Sequence, residues 1–146
     1  MNERQIPTGK LLDAAGTPQD FREFRSFRPG ISSEFNHIRD FKGYDHPFVV
    51  DGWKPNILGE VGTLREPRSG RSVTVLSSQP SVMIYTGNWL AGSPLSKSGR
   101  PYADYDGVAI ECQGFPDAPN RPDFPSAELR PGEAYRRTIR FRFDVR

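Results

Sequence analysis

Proline or glycine interrupts this chain so often that a parallel sheet with crossover helices has nowhere to form. Fourteen of each stand among 146 residues, together about a fifth of the chain, against roughly an eighth in average usage. Several fall in turn signals: Ile6-Pro7-Thr8-Gly9, Ala15-Gly16-Thr17-Pro18, Pro67-Arg68-Ser69-Gly70 and Leu129-Arg130-Pro131-Gly132-Glu133. Between the signals, apolar residues recur at the two-residue period of a strand. The clearest case is the C-terminal run, where Ile139, Phe141, Phe143 and Val145 alternate with Thr138, Arg140, Arg142 and Asp144. Ten Phe, five Tyr and two Trp need a core, so the chain is not of the disordered kind. Short strands, dense turns and many aromatics predict an all-β fold, an antiparallel sandwich or barrel.

Further strands are expected at Phe48-Val49-Val50, ended by the turn Asp51-Gly52, at Val82 to Thr86, and at Tyr105 to Gln113. Glu60 to Glu66 and Arg71 to Ser77 read as a hairpin with a four-residue loop. Ala91 to Gly107 reads as a long surface loop. Phe21, Phe24 and Phe27 recur every third residue, but Pro29-Gly30 would stop a helix. The preferred reading is a loop anchored to a core by its phenylalanines. Without a linker, repeat or low-complexity block, residues 1–146 are expected to form one domain.

Twenty basic and eighteen acidic residues give a net charge of +2. That balance predicts neither nucleic acid nor an anionic membrane as partner. One cysteine, Cys112, leaves no internal disulfide, and with only His37 and His46 beside it no metal-ligand pattern can be built. No apolar run follows Met1 and none approaches a membrane span, so the expected compartment is the cytoplasm.

One carboxylate stands out. Glu111 sits in the apolar run Val108-Ala109-Ile110, ahead of a loop stiffened by Pro116, Pro119, Pro122 and Pro125. A carboxylate at the end of a strand under a rigid loop suits a general base; a solvent-facing or salt-bridged glutamate is the alternative. Asp45-His46 is either a turn cap or a carboxylate that accepts hydrogen bonds from ligand hydroxyls. Tyr85-Thr86-Gly87-Asn88-Trp89 is either a strand end or the rim of a sugar site, because aromatic faces pack against the C–H faces of pyranoses. Nucleophile-elbow, catalytic-cysteine and phosphate-loop patterns are absent.

Several segments together resemble the aldose 1-epimerase (galactose mutarotase) family. They are Ile6 to Gly9, Gly43-Tyr44-Asp45-His46-Pro47-Phe48, Tyr85-Thr86-Gly87-Asn88, Glu111 to Ser126 with its Phe-Pro-Asp-Ala and Pro-Asp-Phe-Pro-Ser elements, and Leu129 to Tyr135. The matches follow the family's order and cover nearly the whole chain, with Glu111 to Ser126 the most specific. The resemblance implies a galactose mutarotase-like antiparallel β-sandwich, of which this chain looks like only the C-terminal part. It implies interconversion of the α and β anomers of free aldohexoses such as glucose and galactose. The family base falls on Glu111 and a sugar-binding aspartate on Asp45, with Tyr85 and Asn88 beside them. No cofactor is implied, since the chemistry is paired proton transfer.

The chain also departs from the family pattern. The acid histidine belongs to an N-terminal part not represented here, and neither His37 nor His46 matches it. Met83 stands where many members have a sugar-binding glutamine, and a thioether cannot donate a hydrogen bond. Cys112 stands where threonine is common. Part of a sandwich exposes strand edges and core face, so self-association, a partner or aggregation is expected. A non-catalytic carbohydrate-binding module or an inactive fragment is the alternative to an epimerase.

Overall fold

A computed structural model describes residues 6–145. Two short helices, α1 (Phe27–Ile31) and α2 (Asn36–Arg39), precede six strands: β1 (Asp45–Val49), β2 (Gly59–Arg65), β3 (Arg71–Ser77), β4 (Ser81–Tyr85), β5 (Ala109–Gln113) and β6 (Ile139–Val145). The strands form two three-stranded sheets, ordered β1-β4-β5 and β2-β3-β6. The chain divides into two compact units. Of the described residues, one comprises 6–9, 47–82 and 112–145; the other comprises Lys10–His46 and Met83–Glu111.

The first unit holds the sheet β2-β3-β6, antiparallel throughout. Strands β2 and β3 form the expected hairpin around Pro67-Arg68-Ser69-Gly70. Its turn is tied down by the Glu66 carboxylate, which accepts from the backbone N–H groups of Arg68 and Ser69. The pairing slips between Glu60 and Gly62, leaving Val61 as the extra residue of a bulge. Strand β6 pairs with β3 without interruption, from Ser77 opposite Ile139 to Arg71 opposite Val145. Val75 in the middle strand is buried, whereas all seven residues of β6 are exposed. The alternation of β6 is as the sequence predicts, but among the described residues neither face of it is covered.

The second unit is organised around Tyr44, which is fully buried. Its ring meets Phe21 and Phe27, with centroids 5.2 and 5.3 Å away, and its hydroxyl donates to the Pro18 carbonyl at 2.8 Å. Two of the three spaced phenylalanines are therefore anchors, and Phe24 is exposed. The helix expectation is corrected here. Pro29-Gly30 lies inside α1 rather than ending a helix, because Pro29 falls in the first turn, where its missing N–H breaks no bond. Ser26 caps the helix by accepting from the Arg28 N–H. A Cβ at Gly30 would run into the Tyr44 hydroxyl, so α1 packs on this ring only with glycine there.

The strand expected from Tyr105 is shorter than the sequence suggests. Tyr105 has φ 67° and marks the loop's return, its N–H donating to the Gly87 carbonyl and its hydroxyl to the Lys42 carbonyl. Regular structure resumes at Ala109.

Candidate functional site

Strand alternation places the candidate residues. Thr86 donates its N–H to the Tyr44 carbonyl at 3.1 Å, which sets Asp45 of β1 opposite Tyr85 of β4. Met83, two residues from Tyr85, points to the same side. In β5 the alternation sends Cys112 inward, buried, and Glu111 outward, exposed. Asp45 and Glu111 are close enough to interact electrostatically. The Asp45 carboxyl is raised above its ordinary value, first by burial and then by the charge of Glu111. The structure thus brings together two carboxylates, with Met83 and Tyr85 on the neighbouring strand.

Asp45 is held from its own backbone. Its N–H donates to Nδ1 of His46 at 2.9 Å, so the imidazole is unprotonated at that nitrogen. His46 is buried with its ring edge-on to Phe41, and its Nε2 has no hydrogen-bond partner. Burial pushes its pKa down to about 4. A histidine in this state is a fixed acceptor that orients the aspartate backbone, and it carries no proton to donate from Nδ1.

Asn88 has a different place from the other candidates. It is 0% exposed. Its Nδ2 donates to the carbonyls of Phe41 and Tyr44 at 2.8 and 3.0 Å, and its Oδ1 accepts from the Thr86 hydroxyl at 2.6 Å. Thr86 Oγ1 in turn accepts the Tyr44 N–H at 3.0 Å. Asn88 and Thr86 therefore clasp the chain entering β1 to the chain leaving β4. The clasp fits only because residue 43 is glycine: Gly43 has φ 151°, and a Cβ there would collide with the Asn88 and Thr86 side chains. The sequence places Asn88 at a ligand and Thr86 in the same rim, without pairing the two. The available signal was the pairing of two polar residues around Gly87 with a Gly-Tyr pair before β1.

Beside the clasp, Trp89 of the expected rim has a neighbour that the sequence does not single out, Lys42. Lys42 sets its Nζ 3.9 Å from the centre of the Trp89 ring and 2.9 Å from Asp104. Trp89 is more than half exposed, and its N–H donates to the Tyr85 hydroxyl at 3.0 Å. Among the described residues no group of three or more His, Cys, Asp or Glu could hold a metal ion, and no helix is long and apolar enough to cross a membrane.

Solved structures share this architecture. An aldose epimerase homologue from C. elegans superposes with a TM-score of 0.80 at 25% identity, covering 96% of this chain and 40% of that one. Galactose 1-epimerase from Lactobacillus acidophilus gives 0.66 at 23% identity, with 96% and 39% covered, a likeness of fold. The class is therefore the all-β sandwich of the galactose mutarotase type. A family model for aldose 1-epimerase matches residues 1–142, and the chain belongs to that family. Human galactose mutarotase is 37% identical over 147 residues, and aldose 1-epimerase of Escherichia coli K12 is 36% identical over 152. The chain spans about 40% of the length of these relatives.

Proposed function

We propose that the face carrying Asp45 and Glu111 binds a free aldohexose, with Glu111 as the general base of an aldose 1-epimerase reaction. The observation that carries this reading is the pair of interacting carboxylates on one sheet face of a chain of this family. The relatives' names, galactose mutarotase and aldose 1-epimerase, give the substrate class. In the proposed reaction Glu111 removes the proton of the anomeric hydroxyl, and the C1–ring-oxygen bond breaks as that oxygen gains a proton. Rotation about C1–C2 and reclosure then give the other anomer. Asp45 accepts hydrogen bonds from sugar hydroxyls, and Tyr85 and Met83 shape the floor. Asn88 serves this site by holding Asp45's strand in place. No cofactor takes part.

The proton for the ring oxygen comes from outside the residues assembled here. His46 is buried with Nδ1 occupied as an acceptor, and His37 packs against the Phe35 ring. Water as the acid would leave a weak reaction, since a placed acid or base is worth ~10²–10⁴-fold. That observation favours a second reading, a carbohydrate-binding module that uses Asp45 and Glu111 without turnover. Polarimetry of fresh α-D-glucose and α-D-galactose with the chain and its Glu111→Gln variant separates the two. Acceleration that disappears in the variant supports the epimerase. Sugar binding by calorimetry without acceleration supports the module, and absence of both rejects the site.

A further inference from the structure

A face that binds a sugar needs donors as well as acceptors, because each sugar hydroxyl both gives and accepts a hydrogen bond. Asp45 and Glu111 offer carboxylates, which accept when ionised, and the Met83 thioether has no donor. Among these face residues Tyr85 alone brings an O–H. The side chains of Thr86 and Asn88 are taken up in the clasp. The Tyr85 oxygen accepts the Trp89 backbone N–H at 3.0 Å. A backbone N–H can only donate, so this bond leaves the phenolic proton free. No hydrogen bond among the described residues takes that proton.

The Trp89 N–H is itself held in place. Asn88, just before it, is locked in the clasp, and Ala91, just beyond it, gives its N–H to Asp104 at 2.9 Å. Gly87 opens the turn with φ 69°, where a Cβ would meet the Leu90 side chain and the Gly107 carbonyl. A donor fixed in this way loses little freedom when a ligand arrives. Strand pairing then sets the phenol beside Asp45. Thr86 bonds the Tyr44 carbonyl, so the next pair, Asp45 and Tyr85, is non-hydrogen-bonded. The Asp45 N–H agrees, since it turns to His46 Nδ1 instead of to β4. Side chains at such a pair are nearest neighbours across the strands, with Cα atoms roughly 4.5 Å apart. We infer that Tyr85, aimed by the Trp89 backbone, determines specificity at this site: its hydroxyl donates to one hydroxyl oxygen of the aldohexose that Asp45 holds. This rests on the sugar-binding reading above and names the donor that reading lacks. The bond that Met83 cannot give comes from two residues further along the same side of β4.

Calorimetric titration with D-galactose and its 2-, 3-, 4- and 6-deoxy analogues, on the chain and on Tyr85→Phe, tests this. The variant keeps the ring and loses one neutral hydrogen bond, so D-galactose is expected to bind roughly 3- to 10-fold more weakly. At one position the deoxy analogue is expected to cost the unmodified chain more affinity than it costs the variant, where that bond is already gone. At the other positions the two proteins should lose alike. A hydroxyl that served only the structure would weaken every sugar equally and show no such coupling. The Trp89 N–H left behind is exposed, so the urea midpoint of Tyr85→Phe is expected to match that of the chain. A midpoint well below it would mean that the hydroxyl serves the fold, which overturns the inference. Equal affinity of both proteins for D-galactose, or equal penalties at every position, would also overturn it while the sugar site stands. No binding of D-galactose by the unmodified chain would remove the site and this inference together.

Discussion

The chain treats polar and apolar groups in opposite ways in its two units. Around Tyr44, an asparagine and a threonine are buried, and their side-chain polar atoms have partners within 3.1 Å. Along β6, two phenylalanines, an isoleucine and a valine face solvent. Burying a polar group is costly unless it is bonded, and the clasp meets that condition inside its own unit. Exposing apolar surface on this scale is the mark of an interface, and β6 supplies one only when something else arrives. The first region completes itself; the second leaves its apolar side chains uncovered by the described residues.

Substitutions should separate the two regions by the size of their effects. Asn88→Ala should be the most damaging, because it strands the Phe41 carbonyl, takes from the buried Thr86 hydroxyl its 2.6 Å acceptor and leaves a cavity. A loss of about 4 kcal/mol follows from buried groups left unpaired, read from urea denaturation. Acidification comes next. The His46 pKa falls from 6.5 to about 4 on folding, so between these values the unfolded chain binds a proton that the folded chain does not. This contribution is full above pH 6.5, fades as pH drops toward 4 and amounts to about 3 kcal/mol. The Asp45 carboxyl is raised and works in the opposite sense, its contribution lost as pH rises through its folded value. Denaturation midpoints at pH 7 and 4.5, with and without Asp45→Asn, resolve the two.

Smaller effects sharpen the contrast within the sheet β2-β3-β6. Val75→Ala removes buried methyl groups and should cost about 2 kcal/mol. Phe143→Thr, on the neighbouring strand and the same face, should leave the stability of a dilute sample within about 0.5 kcal/mol, as surface changes do. A large loss from Phe143→Thr at low concentration would mean that β6 is covered within its own chain, and the contrast would fail. Arg142→Ala should be the mildest, since an exposed ion pair at 3.8 Å to Glu60 contributes little.

Much of the fold was legible because strands announce themselves by a short period. The hairpin around Pro67-Arg68-Ser69-Gly70 and the alternation of β6 need only local sequence. The bulge at Val61 was hidden, since its cause is the register with a partner strand. Pro29-Gly30 misled because a proline reads as a stop until its place in the first turn is known. At the site, Glu111 was legible as a carboxylate between apolar neighbours, and alternation resolves the oddity by turning Ile110 and Cys112 the other way. Asn88 was recognisable as special but not in kind, because its partners Phe41 and Tyr44 lie more than forty residues back. The same long separation concealed Lys42 beneath Trp89.

The long loop from Ala91 to Gly107 is fastened near both ends. Asp104 accepts the Ala91 N–H and pairs with Lys42, and Tyr105 bonds to Gly87 and to the Lys42 carbonyl. Between the fastenings, the tip is closed by Ser96 bonding to the Arg100 carbonyl, with Lys97 exposed inside it. A protease that recognises basic residues would cut at that tip, and both new ends would stay attached. The chain can therefore be opened at Lys97 into two pieces that keep one fold, a site at which a peptide could be inserted or the protein reassembled from halves.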